Sequence, residues 1–552
     1  MLFFSGHLIF IQIFKYNHLA KLASKQHNHF IELEPVRGTI YDRRMRPLAL
    51  NVTAYSLYAN PQVMSLDDKR KAVENVSSIL KLDPQVLTSR LANKKYFVWI
   101  QRKLSLETAR KIKDLKIKGL DFVNESKRYY PNAELASHVI GFAGIDNEGL
   151  EGIELKYNDY LKGESGWTQI LRDAHQRDLM ISNRYIASKD GYHIVLTIDE
   201  TIQFIAERAL DKAYRKHNAK AATIIVMDTK TGEILALANR PTYNLEEART
   251  SDIEHRTDRA ISFVYEPGSV FKIVTATAAL EEQKFVETDM IFCENGAFRV
   301  ANHILHDHGK HGMLTFKGVF EQSSNIGVTK IAQKLGPALI YEYAQRFRFG
   351  MKTNIELEGE VNGLLKPPSA WSKTSIGAIP MGQEVTVTPI QLVGAISAIA
   401  NGGTYMRPYI LKYVQDDKNE IIKFFEPEKL EQVMSPQTAL RVTEILNGVV
   451  EKGTGQMAQI KGIKVAGKTG TAQKVINGKY SHDLFNATFF GFAPSDNPRV
   501  AVIVVLDEPH HGHFGGVVSA PVFKEVVENT LKYLGNSQNE MKYADASKKF
   551  VR

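Results

Sequence analysis

A serine and a lysine three residues apart can act as nucleophile and proton acceptor if a helix holds both on one face. The stretch Tyr265-Glu-Pro-Gly-Ser-Val-Phe-Lys272 offers such a pair, Ser269 and Lys272, followed by the helical run Ile273 to Leu280. Pro267 and Gly268 read as loop, so Ser269 is expected to open the helix, its N–H at the positive end of the dipole and suited to an oxyanion. Alone, the pair has a plainer reading, a helix-capping serine. Ser323 and Asn325, in Phe320-Glu-Gln-Ser-Ser-Asn-Ile-Gly327, add a hydroxyl able to relay a proton and an amide able to orient a carbonyl, or simply a polar turn. The third string is Val465-Ala-Gly-Lys-Thr-Gly-Thr-Ala-Gln473. Its overlap Gly462 to Thr469 fits the phosphate-loop pattern, but that loop needs a helix after its lysine. Here Thr469 to Ile476 is β-leaning and runs into Asn477-Gly478, a hairpin signal. Nucleotide binding is therefore rejected. A strand edge offering Lys468, Thr469 and Thr471 to an anion, with Gly470 allowing close backbone approach, fits better.

These strings need a scaffold, and strand candidates flank them. His193 to Asp199 reads as a strand before an amphipathic helix, Glu200 to His217. Thr223–Asp228 and Glu233–Ala238 surround Thr229-Lys-Thr-Gly232 as a hairpin. Asn486–Phe492 and Arg499–Leu506 are two further strands, Ala520–Leu534 a closing helix, and Gly535–Arg552 a polar tail expected to fray. With residues 270–455 mainly helical and turn-like, the pattern predicts one sheet assembled from distant segments. The polar stretch Gly163–Gly191 is read as the main domain boundary.

The 552 residues include 43% hydrophobic and 24% charged side chains, which excludes wholesale disorder, and imply two or three domains. Net charge is +9, carried mainly by residues 1–190, with 29 basic and 21 acidic side chains. Such an excess suits nucleic acid or an anionic membrane surface. The lone cysteine, Cys293, excludes an intramolecular disulfide and cysteine-based zinc sites. Leu2 to Phe14 is an apolar run that as a helix would span about 20 Å, short of the ~30 Å hydrocarbon core. No basic residue precedes it, and Lys15, Lys21 and Lys25 follow. The expectation is a membrane anchor at residues 1–20 whose start lies further upstream.

Ser-x-x-Lys, Ser-x-Asn and Lys-Thr-Gly in this order resemble the motif set of serine β-lactamases and penicillin-binding proteins. Over nearly its whole length the chain is similar to the class B, transpeptidase-only penicillin-binding proteins. Arg37-Gly-Thr-Ile-Tyr-Asp-Arg43, Arg128-Tyr-Tyr-Pro131, Gly152-Ile-Glu154, Gly382-Gln383, Thr388-Pro-Ile-Gln391, Ala400-Asn-Gly-Gly403 and Gly515-Gly516 resemble its other signatures. Met45 departs from the family pattern, which usually has glycine there.

The resemblance implies an α+β multidomain protein: anchor (1–20), non-catalytic pedestal or dimerisation domain (30–190), penicillin-binding transpeptidase domain (191–535) and tail (536–552). The catalytic domain would be a five-stranded antiparallel sheet flanked by helices. Ser269 would attack the D-Ala-D-Ala bond of a stem peptide, with Lys272 as base, and Ser323 and Asn325 would relay the leaving-group proton and position the peptide. Lys468, Thr469, Gly470 and Thr471 would hold the terminal carboxylate, and the N–H groups of Ser269 and Thr471 the oxyanion. An amine from a neighbouring stem would complete the cross-link. No cofactor, metal or nucleic acid is implied. Expected partners are β-lactams, a separate glycosyltransferase, divisome membrane proteins and the inner membrane, with the catalytic domain outside it. Asp258 to Gly268 resembles the septal subtype, the alternative being elongation.

A β-lactamase needs a deacylating base, and Glu356, Glu358 and Glu360 give no Glu-x-x-Asn with Asn362. A β-lactam sensor would acylate but neither cross-link nor turn over, and its expected partner segments are missing; an inert wall-complex scaffold would have no use for intact Ser269, Lys272 and Lys468. His303, His306, His308 and His311, with His510, His511 and His513, could bind zinc, but solvated loop histidines are the commoner case and no His-Glu-x-x-His accompanies them.

Overall fold

The computed structural model describes Lys15 and residues 28–93, 95–172 and 178–550. Apart from Lys15, the expected anchor lies outside the described residues, among which no helix is long and apolar enough to cross a membrane.

The C-terminal half is built on five strands: β1 (Ala221–Asp228), β2 (Ile234–Arg240), β3 (Ala466–Ile476), β4 (Lys479–Ala493) and β5 (Val500–Asp507). They lie antiparallel in the order β2-β1-β5-β4-β3. Asn477 and Gly478 join β3 to β4 with φ of 51° and 76°, the pair of positive values a two-residue type I′ hairpin requires. The central strands are apolar on both faces because both faces are covered. Ile225, Ile503 and Val505 point into one core, while Ile224, Val226, Val502 and Val504 point into the other.

Helices α1 (Glu200–Lys216) and α6 (Ala520–Phe550) pack on the second face. The first face carries α2 (Lys272–Glu281), α3 (Asn325–Leu335), α4 (Pro389–Ala400) and α5 (Pro436–Glu451). Their starts are locally encoded. Asp199 caps α1, Ser435 caps α5, and Thr388 forms a capping box with Gln391 ahead of Pro389.

Helix α6 continues to Phe550, where a fraying tail was expected after Leu534. Gly535 is the only strong breaker there, at about 1 kcal/mol, and residues such as Glu540, Met541, Lys542 and Ala544 favour helix. The polar stretch 163–191 is largely strand: Gly166–Arg172 pairs with Asn28–Leu33 and with Asp178–Ile186.

In the N-terminal half, Pro47–Ala59 pairs with Leu120–Tyr129 and, at its far end, with Val98–Leu104. Its near end pairs with Ile40–Tyr41, which runs parallel to His193–Leu196, itself paired with Leu411–Gln415. One sheet thus crosses residue 190. Three signature segments converge on a buried cluster. Arg37 and Arg128 each donate through Nε to Glu154, at 2.7 and 2.6 Å. Met45 adopts φ of 64°, so the turn survives the missing glycine, held by Asp42 Oδ1, which accepts from the N–H groups of Arg44 and Arg46.

Candidate active site

Ser269 lies in a 3-10 turn, Gly268–Phe271, and α2 begins only at Lys272. The expected α-helical start is therefore tighter than predicted, and the tightening has a local cause. Gly268 takes φ of 59° and its N–H donates to Gly382 O at 3.1 Å. Gly382, itself at φ of 81°, approaches so closely that a Cβ there would stand 2.1 Å from the Gly268 carbonyl oxygen. In a 3-10 turn residues i and i+3 eclipse, which stacks Lys272 directly over Ser269.

Lys272 is fully buried. Its Nζ donates to Ser323 O (2.6 Å), Asn325 Oδ1 (2.8 Å) and Ser323 Oγ (3.2 Å). From the opposite side Lys468, buried on β3, donates to the same Ser323 Oγ at 2.9 Å. The Ser323 hydroxyl therefore sits between two ammonium groups. Among the described residues neither lysine has an ion-pairing carboxylate, and none joins Ser269 Oγ to Lys272 Nζ by a hydrogen bond. Desolvation pushes Lys272 down to about 7, opposed only by the field of Asp307. Lys468 is also well below the usual lysine value, through burial and the Lys272 charge.

Asp307 is a residue the sequence reading missed. Its carboxylate accepts from Ser324 Oγ (2.6 Å), from Ile326 N (3.1 Å) and from Asn325 N, so it anchors the start of α3. Ser324 also caps that helix by accepting from Gly327 N at 2.9 Å. Ser323 is thereby fixed at φ of 57°, with its hydroxyl and carbonyl both turned to Lys272. In the sequence it is only an aspartate among loop histidines, a setting that by itself assigns it no role.

On β3, a Cβ at Gly470 would stand 2.9 Å from Pro267 O, so the strand and the Ser269 turn can touch only through glycine. Thr469 Oγ1 shares a 2.6 Å hydrogen bond with Thr454 Oγ1, and Thr471 Oγ1 accepts from Gly515 N at 3.1 Å. Ser269, Ser323, Thr469, Thr471, His308 and Phe514 line one cleft of about 420 Å³.

The remaining sequence candidates are elsewhere. Glu356 pairs with Arg407, Glu358 with Lys156, and Glu360 accepts from Thr353. Among the described residues no three His, Cys, Asp or Glu side chains are grouped to hold a metal ion. His513 instead stacks on Phe485, and His308 meets Phe514 edge-on.

The chain matches two family models, the penicillin binding protein transpeptidase domain over residues 222–528 and the penicillin-binding protein dimerisation domain over 32–196. It is 36% identical to stage V sporulation protein D of Bacillus subtilis, covering 97% of this chain and 84% of that one. It is 32% identical to the peptidoglycan D,D-transpeptidase FtsI of Escherichia coli, covering 96% and 89%. The crystal structure of penicillin binding protein 3 from Mycobacterium tuberculosis in complex with aztreonam superposes with a TM-score of 0.72 at 28% identity, over 92% of this chain and 97% of that one. With the order of its strings, its five-stranded sheet and its two matched domains, the chain belongs to the class B penicillin-binding proteins.

Proposed function

We propose that this chain is a peptidoglycan D,D-transpeptidase that acts through a Ser269 acyl-enzyme. The observation that carries the reading is the pair of carboxylate-free, buried lysines meeting at Ser323 beside Ser269. Two ammonium groups crowded in a desolvated site cannot both stay charged at neutral pH. The carboxylate of an incoming D-Ala-D-Ala terminus, held by Lys468, Thr469 and Thr471, restores the charge of Lys468 and leaves Lys272 neutral.

Neutral Lys272 accepts the Ser269 proton as Oγ attacks the penultimate carbonyl. The N–H groups of Ser269 and Thr471 stabilise the oxyanion, where loss of one such donor costs ~3–4 kcal/mol. The proton then passes through Ser323, already bonded to both lysines, to the departing D-alanine. Asn325 holds Lys272 and the peptide, and Gly470 keeps β3 against the nucleophile. A neighbouring stem amine displaces the serine and forms the cross-link. β-Lactams acylate the same oxygen. Glu356, Glu358 and Glu360, the carboxylates weighed as a β-lactamase's water-activating base, are engaged away from the cleft.

The same reading gives the N-terminal half the role of a pedestal outside the inner membrane, anchored by residues 1–20, and assigns glycan polymerisation to a separate glycosyltransferase among the division proteins. The Asp258–Gly268 stretch favours septal synthesis. Depletion producing filaments supports it, and rounded cells would indicate elongation. For the chemistry, Ser269→Ala is expected to abolish covalent labelling by a fluorescent penicillin. Undiminished labelling of that variant overturns the assignment.

A further inference from the structure

His308 lines the cleft beside Ser269 and Ser323, yet the acylation sequence has no use for it. The residue is solvent-exposed at the cleft, and its ring packs edge-on against Phe514, with centroids 6.0 Å apart. Among the described residues neither ring nitrogen has a hydrogen-bond partner. Three other histidines differ: His138 Nε2 is bonded to His255 O (2.9 Å), His217 Nδ1 to His511 O (2.6 Å), and His193 Nδ1 accepts from Thr39 N (2.9 Å). Those rings are used structurally, whereas both nitrogens of His308 remain available to whatever enters the cleft.

The second half of the reaction needs such a group. An acceptor amine arrives as an ammonium at neutral pH. The balanced step converts acyl-Ser269 and R–NH3+ into Ser269–OH, an amide and one free proton. A C–N bond forms and the C–Oγ bond breaks. One proton of the amine can return through Ser323 and Lys272 to Oγ, reversing the acylation relay. The ammonium carries one proton more than that relay can use, and it must lose it before its lone pair can attack.

We infer that His308 is the general base that takes this surplus proton from the acceptor ammonium and passes it to water. The inference rests on the acyl-enzyme reading above. The charges facing the ring fit the role. Partial desolvation holds His308 below the usual histidine value, and Lys272 from α2, Lys468 from β3 and His513 from the loop after β5 act in the same direction. Asp307, its neighbour on the same loop, opposes them. These influences favour the neutral imidazole, which has a lone pair to offer. Phe514 fixes the ring plane without occupying a nitrogen.

The test compares His308→Gln and His308→Phe with the parent chain, the second variant keeping a ring against Phe514 should the first fail to fold. A thioester donor is used with D-alanine, an ammonium at pH 7, or with hydroxylamine, which is largely unprotonated there. Aminolysis is divided by the acylation rate of each protein. With D-alanine the ratio is expected to fall about tenfold or more in both variants. With hydroxylamine it should fall less than about threefold, and added imidazole should partly restore the D-alanine rate in His308→Gln. Equal losses with both acceptors, or no loss with either, overturn the inference. Failure of the parent chain to acylate at all would instead overturn the acyl-enzyme reading on which it stands.

Discussion

Two regions of this molecule each bury a pair of cationic side chains, and they do opposite things with them. In the N-terminal half, Arg37 and Arg128 flank Glu154, whose two carboxylate oxygens each receive one Nε–H. Arg37 is tied further to Asn147 O, Asn158 Oδ1 and Glu154 O, at 2.7–2.8 Å. In the catalytic half, Lys272 and Lys468 flank a serine and see only neutral acceptors. Guanidinium does not give up its proton in a protein, so the arginine cluster is a fixed-charge clamp joining three distant segments. An ammonium without a carboxylate partner can deprotonate, so the lysine pair suits the role of reagent proposed for it. The presence or absence of one carboxylate separates architecture from chemistry.

That contrast can be broken from the catalytic side first. Lys272→Arg keeps a buried cation but removes the group that can become neutral. Acylation by penicillin is expected to fall about 10²–10⁴-fold, the range for loss of a general base, in a chain that still melts cooperatively. An acylation rate within a few-fold of the parent would mean that neutrality at this position is not the point.

From the N-terminal side, Glu154→Ala strands two buried guanidinium groups. The expected cost is about 3–5 kcal/mol of stability, read by denaturant unfolding, with the acylation rate per folded molecule unchanged. A stability loss near zero would show that water or rearrangement compensates the arginines, and the clamp would lose its meaning.

The smallest effect sharpens the role of burial. Lys156 and Glu358 join the two halves at 2.6 Å, as close as Arg128 and Glu154, but their side chains are 40% and 54% exposed. Lys156→Ala is expected to cost under about 1 kcal/mol in the same unfolding measurement. A larger loss would indicate that this contact, rather than the buried cluster and shared sheet, couples the halves.

Much of the catalytic region was legible because its chemistry is local in sequence. Ser269 and Lys272 are one turn apart, and the hairpin at Asn477-Gly478 made Lys468 a strand residue. The glycine at 470 also marked a close approach before Pro267 was known to be its neighbour. What stayed hidden depends on contacts between distant segments. The carboxylate of Asp307 caps a helix that starts 18 residues later, and nothing in its neighbourhood says so. The histidines near it read as solvated loop side chains, and nothing in the string singles out His308 as the one that lines the cleft. Arg37, Arg128 and Glu154 were each read as signature residues, but only the fold reveals that they form one cluster. The shared sheet across residue 190 was likewise invisible, since the strand Ile40–Tyr41 is too short to carry a periodic signal.

The central claim, that a lysine depressed by burial is the base for Ser269, is tested most directly by the pH dependence of acylation. The second-order rate constant for penicillin can be followed from pH 5 to pH 9 by stopped-flow fluorescence on the full chain. Because the reactive form is the deprotonated one, the rate must rise with pH, levelling above the apparent pKa of the lysine pair. A midpoint near 7 is expected, matching the lowered value of Lys272. A rate still climbing at pH 9, as an ordinary lysine near 10.4 would give, would contradict it.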